Sequence, residues 1–156
     1  MLQEALQRDP QGDLATVART VVADFRARKA VIPGIGHTKH KPIDPRVPRL
    51  FEIAAANGLR SRPVTLLLLI AEEAERVHNR SLPVNATGAI GALCCELGFD
   101  WRLARGIAVV GRAIGLLGHL AEEIRSPIAR EIYVRAEDEC VTRARKEQGG
   151  MADAEP

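Results

Sequence analysis

Aromatic side chains are scarce in this sequence: Phe, Trp and Tyr make up 3% of its 156 residues. A core with so few rings must be filled by Ala, Leu, Ile and Val, which suit the packing of helix on helix. The chain is long enough to bury the core of one domain. Its hydrophobic content of 46% and charged content of 27% are ordinary for a globular soluble protein.

Cysteines are also few, and they do not form a disulfide framework. The three residues Cys94, Cys95 and Cys140 are odd in number, and two of them are adjacent. The CxxC spacing of many zinc sites is absent. We therefore predict small core cysteines in a reducing compartment, and no metal.

Long apolar runs and a leader are lacking as well. Stretches such as Leu66–Ile70 fall far short of the ~20 apolar residues of a membrane helix. The first residues, MLQEALQRDPQGD, have neither the apolar centre of a signal peptide nor the acid-free bias of a transit peptide. The net charge of +2 is spread over mixed charges, with no interleaved basic and aromatic residues. These absences predict a cytoplasmic protein with no membrane and no nucleic-acid partner.

What the sequence does contain is helical periodicity. Apolar residues recur three and four positions apart, and no strand-like alternation interrupts them. The predicted helices cover 14–29, 45–56, 63–80, 86–97, 101–124 and 127–148, and residues 149–156 are expected to be a disordered tail. Asp13 and Asp44 are predicted to cap the first two of these helices, Ile53 to lie on the inner face of the second, and Asn57-Gly58 to end it. Leu66–Ile70 is apolar all round, which predicts burial on several sides. Leu103 to Ile124 form a long apolar seam for a partner helix. The fold class is all-α, a multi-helix orthogonal or bundle arrangement in one domain, 1–148.

One stretch, VIPGIGHTKHKPIDPR at 31–46, concentrates basic and imidazole side chains after a Pro/Gly-rich loop. Arg46 lies in the first turn of a predicted helix, and so does Arg130. A cation is mildly unfavourable there unless an anion is bound beside it. Together with His37, Lys39, His40 and Lys41, the two arginines indicate a carboxylate or phosphate site. A solvated surface loop is the alternative.

Three segments in order resemble the citrate synthase family, most closely its citryl-CoA lyase-like branch. PGIGHTKHKPIDPR resembles the histidine loop, with an arginine nine residues after the histidine. LPVNATGAIGALCCELGF resembles an Asn-x-Asp-Gly helix start. VVGRAIGLLGHLAEEIRSPIARE resembles the closing helices with two further arginines. The resemblance covers about 17–139 and implies the family's small domain plus its C-terminal helices.

The resemblance also implies roles. The loop residues Val31, Ile32, Pro33, Gly34, Ile35 and Gly36 would lie against the adenine end of coenzyme A. His37 would bond the oxaloacetate carbonyl or the citryl hydroxyl. Arg46, Arg112 and Arg130 would hold substrate carboxylates, the last of them across a dimer interface. The substrate would be a coenzyme A thioester, and no metal would be needed.

Two departures from the family pattern bear on catalysis. Thr87 stands where the family has its general-base aspartate, and loss of a general base commonly lowers the rate by ~10²–10⁴. The upstream His-Gly-Gly segment that carries the family's other catalytic histidine is absent.

Three hypotheses follow. The chain is the C-terminal half of a split citryl-CoA lyase or citrate synthase-like enzyme, completed by a chain with the N-terminal half. Alternatively, it is a non-catalytic subunit that binds coenzyme A and a carboxylate. An oligomerisation-only remnant is the third option. The apolar seam predicts a homo-oligomer or a hetero-complex in each case.

Overall fold

The computed structural model describes residues 1–59 and 61–152, and it confirms the all-α prediction. The helices are α1 (Leu2–Arg8), α2 (Leu14–Ala27), α3 (Arg46–Ala56), α4 (Arg62–His78), α5 (Ala86–Glu96), α6 (Ala104–Arg125) and α7 (Ala129–Ala152). A 3₁₀ turn, Trp101–Leu103, precedes α6. Within the described ranges, the only β contact is one antiparallel bridge between Ile35 and Val84. The predicted helices correspond to α2 through α7, and α1 has no counterpart among them.

Local sequence sets the ends of these helices. Asp13 caps α2, because its carboxylate accepts the backbone N–H of Thr16 at 2.9 Å. α3 ends at Asn57, and Gly58 follows in the left-handed region with a φ of +74°. The capping residue Asp13 and the Asn57-Gly58 stop agree with the sequence prediction.

The chain divides into two compact units, Met1–Val109 and the residues from Val110 onward. In the first unit, α4 is central and packs against α2 and α5, while α3 packs against α5. Leu66, Leu67 and Ile70 of α4 are fully buried. The expectation of burial all round this run is wrong at Leu68, which is 42% exposed. Its position on the 3.6-residue turn points away from the neighbouring helices.

Two further core predictions are wrong. Ile53 was expected on the inner face of α3 but is 48% exposed, and Val47 is buried instead. Of the three cysteines, Cys94 is buried and Cys95 is half-buried, whereas Cys140 is exposed on α7. The mixed charges of α7 leave Cys140 on a solvated helix rather than in a core.

The apolar seam of α6 is exposed in this chain, and Ile124 reaches 81% exposure. With the preceding turn, the segment Trp101–Arg125 is long and apolar enough to cross a membrane by length and composition alone. The segment contains no long unbroken apolar run, and its hydropathy comes from Gly, Ala and aliphatic residues that alternate with charged ones. Core helices of soluble proteins meet the same criterion.

The second unit contains the rest of α6 and all of α7. The carboxylate of Glu123 accepts the backbone N–H groups of Ile128 and Ala129 at 3.0 Å, and it thereby caps the start of α7. α7 continues to Ala152, so it covers the first part of the segment 149–156 that was predicted to be disordered. Residues 153–156 lie outside the described residues.

Candidate functional site

The Pro/Gly-rich loop 31–36 is joined by hydrogen bonds to the segment that starts α5. The Gly36 N–H donates to the Pro83 carbonyl at 2.7 Å, and the Asn85 N–H donates to the Gly34 carbonyl at 3.0 Å. The side chain of Asn85 adds a third bond, from Nδ2 to the Gly36 carbonyl at 2.8 Å. Its Oδ1 also caps α5 by accepting the Gly88 N–H. Asn85 therefore fixes the helix start against the loop.

Two glycines make this close approach possible. Gly34 has a φ of +86°, and a Cβ at this residue would lie 2.5 Å from the Gly88 Cα. A Cβ on Gly88 would in turn lie 2.5 Å from the Gly34 carbonyl oxygen. Because backbone meets backbone here, neither position has room for a side chain.

We expect Gly88→Ala to lower the free energy of unfolding by about 1–3 kcal/mol, since the added methyl group must displace backbone atoms of the loop. Gly91→Ala on the same helix is the matched control, because a Cβ at Gly91 meets no atom within 4 Å. The control should stabilise the chain by up to ~1 kcal/mol through helix propensity. Urea unfolding of both variants measures the difference. Equal effects in the two variants would contradict the backbone contact.

Asp44 makes more contacts than the helix cap that the sequence predicts. Its carboxylate is fully buried and holds the guanidinium of Arg46 in a fork, with Oδ1–Nε at 2.9 Å and Oδ2–Nη2 at 2.8 Å. Oδ1 also accepts the Arg46 N–H, and Oδ2 accepts the Ala86 N–H at 3.0 Å. One carboxylate thus fixes Arg46, the start of α3 and the start of α5.

The charge of Asp44 is maintained by this arrangement. The Arg46 side chain holds the pKa of the Asp44 carboxyl well below its usual range, and backbone N–H donors act in the same direction against the opposing effect of burial. The pKa of Arg46 is raised in turn by Asp44. The only hint of this role in the sequence is the Asp-Pro-Arg spacing, which also fits an ordinary helix start.

His37 presents a hydrogen-bond donor toward Arg46. The backbone N–H groups of Lys39 and His40 both donate to His37 Nδ1, at 3.0 and 2.9 Å. A nitrogen that accepts two hydrogen bonds carries no proton, so the neutral ring has its proton on Nε2. His37 Nε2 lies 3.4 Å from Arg46 Nη2. Two donors that face each other cannot bond directly, but both can donate to one oxygen atom beside them.

Thr87 is exposed at the start of α5 and lines an apolar cavity of about 140 Å³. Pro33 and Gly34 of the loop form another part of the wall, and Phe99 and Trp101 close one side. Among the described residues that line this cavity there is no charged side chain. The structure therefore places the predicted general-base position next to the loop, but without a carboxylate.

The same loop borders a second cavity of very different character. This groove, of about 580 Å³, is lined by Val31, Ile32, Ile35 and Gly36 of the loop and by His37. Its charged side chains are all basic among the residues described: Arg26, Lys29, Lys41 and Arg80. Clustered cations of this kind attract phosphate and carboxylate groups.

The structure brings His37, Arg46, Thr87 and the whole loop 31–36 together in the first unit. Arg112 and Arg130 lie exposed on α6 and α7 in the second unit, and their carboxylate-binding roles remain predictions. Carboxylates of this chain occupy both helix starts that carry these arginines, Asp44 at α3 and Glu123 at α7.

Comparison with known proteins gives a family match and a structural match. The family model of the citrate synthase C-terminal domain matches residues 1–133. The solved structure of citryl-CoA lyase from Hydrogenobacter thermophilus is similar, with a TM-score of 0.65 and 32% sequence identity. The similarity covers 82% of this chain and 50% of the lyase chain, so this chain spans about half the length of that protein. No curated protein matches the chain.

Proposed function

Because this chain belongs to the citrate synthase family, as its sequence motifs predict, we propose that its first unit binds a coenzyme A thioester together with an oxaloacetate- or citrate-like carboxylate. The proposed chemistry is cleavage or condensation of a carbon–carbon bond, carried out as part of a split enzyme. The observation that carries the proposal is the convergence of two donors, His37 Nε2–H and the Arg46 guanidinium, 3.4 Å apart.

Each donor has a role in this proposal. Arg46 is held by Asp44 through Nε and Nη2, and its side chain is still 51% exposed. It can therefore donate to a substrate carboxylate with little loss of side-chain freedom. His37 Nε2–H would donate to the carbonyl or hydroxyl oxygen next to that carboxylate. Such a donor stabilises the negative charge that develops on this oxygen when the carbon–carbon bond forms or breaks.

The basic groove supports the coenzyme A part of the proposal. Four cations line it without an accompanying carboxylate among the described residues, and the loop 31–36 forms its wall. Phosphates of coenzyme A would be held by Lys41 and its neighbours while the adenine lies against the loop. No metal is needed, because cationic side chains supply the positive charge.

A di- or tricarboxylate carries more negative charge than Arg46 can balance by itself. Asp44 offsets much of the charge of Arg46, so a di- or tricarboxylate requires further cations. We propose that Arg112, Arg130 and a chain with the missing half of the family fold complete the site. The exposed apolar residues of α6 would form the interface, in a homo-oligomer or a hetero-complex in the cytoplasm.

A second candidate function is a non-catalytic subunit that binds coenzyme A and a carboxylate. The observation that favours it is Thr87, which occupies the base position in a cavity with no charged side chain among the described residues that line it. A threonine hydroxyl does not remove a proton from a thioester methyl group near neutral pH. Binding would be retained in this case, and turnover would be absent even with the partner chain.

Thermal unfolding with coenzyme A, oxaloacetate and citrate tests the binding proposal. A ligand at 100 times its dissociation constant stabilises the folded chain by ~2.7 kcal/mol, which is a measurable shift of the melting temperature. Arg46→Lys should greatly reduce the carboxylate shift, because lysine keeps a charge beside Asp44 but lacks the planar fork. His37→Ala should reduce it as well.

Arg49→Ala is the matched control, because Arg49 lies on the same helix and, among the residues that the structure describes, pairs only with the exposed Glu52. Its ligand-induced shift should equal that of the unmodified chain. A carboxylate shift that persists unchanged in both Arg46→Lys and His37→Ala would mean that the two donors do not bind the substrate.

A further inference from the structure

We propose that the apolar cavity beside Thr87 holds the acyl chain of the thioester and selects an alkyl chain of about six carbons over acetyl. This inference rests on the proposed function and names the substrate class of the same site. Its basis is the position of the cavity against the loop, its size and its lining.

The loop 31–36 has two faces with opposite chemistry. Its Val31, Ile35 and Gly36 border the basic groove, and its Pro33 and Gly34 border the apolar cavity. A molecule with a phosphate-rich end and an apolar end can use both faces at once. A fatty acyl thioester of coenzyme A has this chemistry, whereas free coenzyme A and di- or tricarboxylates have no apolar end for the cavity.

The size of the cavity determines the length of the acyl chain that fits it. Its volume of about 140 Å³ is close to that of an apolar cavity of ~150 Å³ that binds a six-carbon ring. An acetyl group would leave most of this space empty. Each methylene group that moves from water into the cavity should tighten binding about four-fold.

The residues that line the cavity determine whether it accepts polar or apolar acyl groups. The polar side chains at the wall are those of Gln3, Thr87, Cys95 and Trp101, and Gln3 already accepts the backbone N–H of Trp101 at 3.1 Å. Met1 also lines the cavity, and its α-amino group already pairs with Glu4 at 3.1 Å. A thioester that ends in a second carboxylate would lose its hydration there and would have to compete with Glu4 for this cation. The cavity should therefore reject dicarboxylic acyl groups such as succinyl and accept alkyl groups.

Calorimetric titration of the full chain with coenzyme A, acetyl-CoA, hexanoyl-CoA and succinyl-CoA tests the proposal. Hexanoyl-CoA has four more methylene groups than acetyl-CoA and should bind about 250-fold more tightly at about four-fold for each, and succinyl-CoA should gain nothing over acetyl-CoA. Gly91→Leu should remove the preference for hexanoyl-CoA. A Cβ at Gly91 meets no atom within 4 Å, so the new side chain would enter the cavity that Gly91 lines. Gly106→Leu is the control, because Gly106 also has open space but lies outside the cavity lining.

Protection of Cys95 provides a second measurement that does not depend on the folding of the Gly91 variant. In a Cys140→Ser chain, hexanoyl-CoA should slow alkylation of Cys95 at the cavity wall, and coenzyme A should not. Equal binding of coenzyme A, acetyl-CoA and hexanoyl-CoA would overturn the acyl cavity and leave the proposed function standing. Tighter hexanoyl-CoA binding that neither protects Cys95 nor responds to Gly91→Leu would also overturn it. No binding of any of the four would overturn both.

Discussion

Replacement of Asp44 by asparagine is expected to lower the free energy of unfolding by about 2–4 kcal/mol, although the two side chains have almost the same size. The buried carboxylate accepts four hydrogen bonds, two from the Arg46 guanidinium and two from backbone N–H groups of Arg46 and Ala86. An amide places an NH₂ group against at least one of these donors and removes the charge that faces Arg46. Urea unfolding near neutral pH measures the loss.

Asp100→Asn is the matched control. Asp100 forms the same kind of fork with an arginine two residues later, Arg102, and this pairing lowers the pKa of Asp100 to about 2. The pair lies on the surface, with 40% of the Asp100 side chain exposed. Water and salt screen such a pair, so its removal should have a much smaller effect. Similar losses of unfolding free energy in both variants would contradict a special stabilising role of the buried Asp44 carboxylate.

The contribution of Asp44 should depend on pH in a defined direction. The folded-state pKa of Asp44 is depressed, so its stabilisation is fully present above the unfolded-state pKa of about 3.9. It is lost as the pH falls through that value toward the lower folded-state pKa. The difference in unfolding free energy between the unmodified chain and Asp44→Asn should stay constant between about pH 7 and pH 5, then narrow below about pH 4. A difference that widens on acidification would contradict the ionised, buried carboxylate.

The purified chain alone is expected to be catalytically inactive. It should show no measurable cleavage of citryl-CoA and no synthesis of citrate from acetyl-CoA and oxaloacetate. Thr87 supplies no general base, and the His-Gly-Gly segment of the family is not in the sequence. Turnover within ~100-fold of the typical enzyme rate of ~10 s⁻¹ would contradict this expectation.

Thr87→Asp distinguishes the two missing parts of the site. An aspartate in the first turn of α5 suits the positive end of the helix, so the variant should fold. By itself it should restore little activity, because the His-Gly-Gly segment that would supply the family's other histidine is not in the sequence. If activity appears only when Thr87→Asp is combined with a chain that carries the other half of the family fold, the unmodified chain is a binding subunit. Activity of the unmodified chain with that partner would instead support the split enzyme.

Patterns of apolar spacing and helix capping predict much of the fold. Asp13, the Asn57-Gly58 stop and the start at Ala86 each follow from short-range chemistry, and the structure places them as expected. α1 is different: its seven residues are too few for a clear periodic pattern, and the burial of Leu2 depends on the neighbouring helices. The exposure of Leu68 and Ile53 could not be predicted either, because composition does not say which side of a helix has a neighbour.

The residue types of the candidate site can be predicted from the sequence, but the hydrogen bonds that connect these residues cannot. The spacing of His37 and Arg46 follows from the family motif, and the structure places their side chains next to each other. The burial of Asp44 and its bond to Ala86 join segments 42 positions apart, and no local pattern contains such a contact. The opposite chemistry of the two faces of the loop likewise depends on which helices surround it.

If His37 offers Nε2–H to a substrate oxygen that Arg46 also contacts, nitrogen-15 spectra of the histidine rings should show it while oxaloacetate is added, with His119 on α6 as an internal reference. We expect His37 to have an unprotonated Nδ1 and a protonated Nε2, and oxaloacetate to shift the Nε2 signal of His37 but not that of His119. A proton on Nδ1, or a His37 signal that oxaloacetate at saturating concentration leaves unchanged, would contradict this expectation.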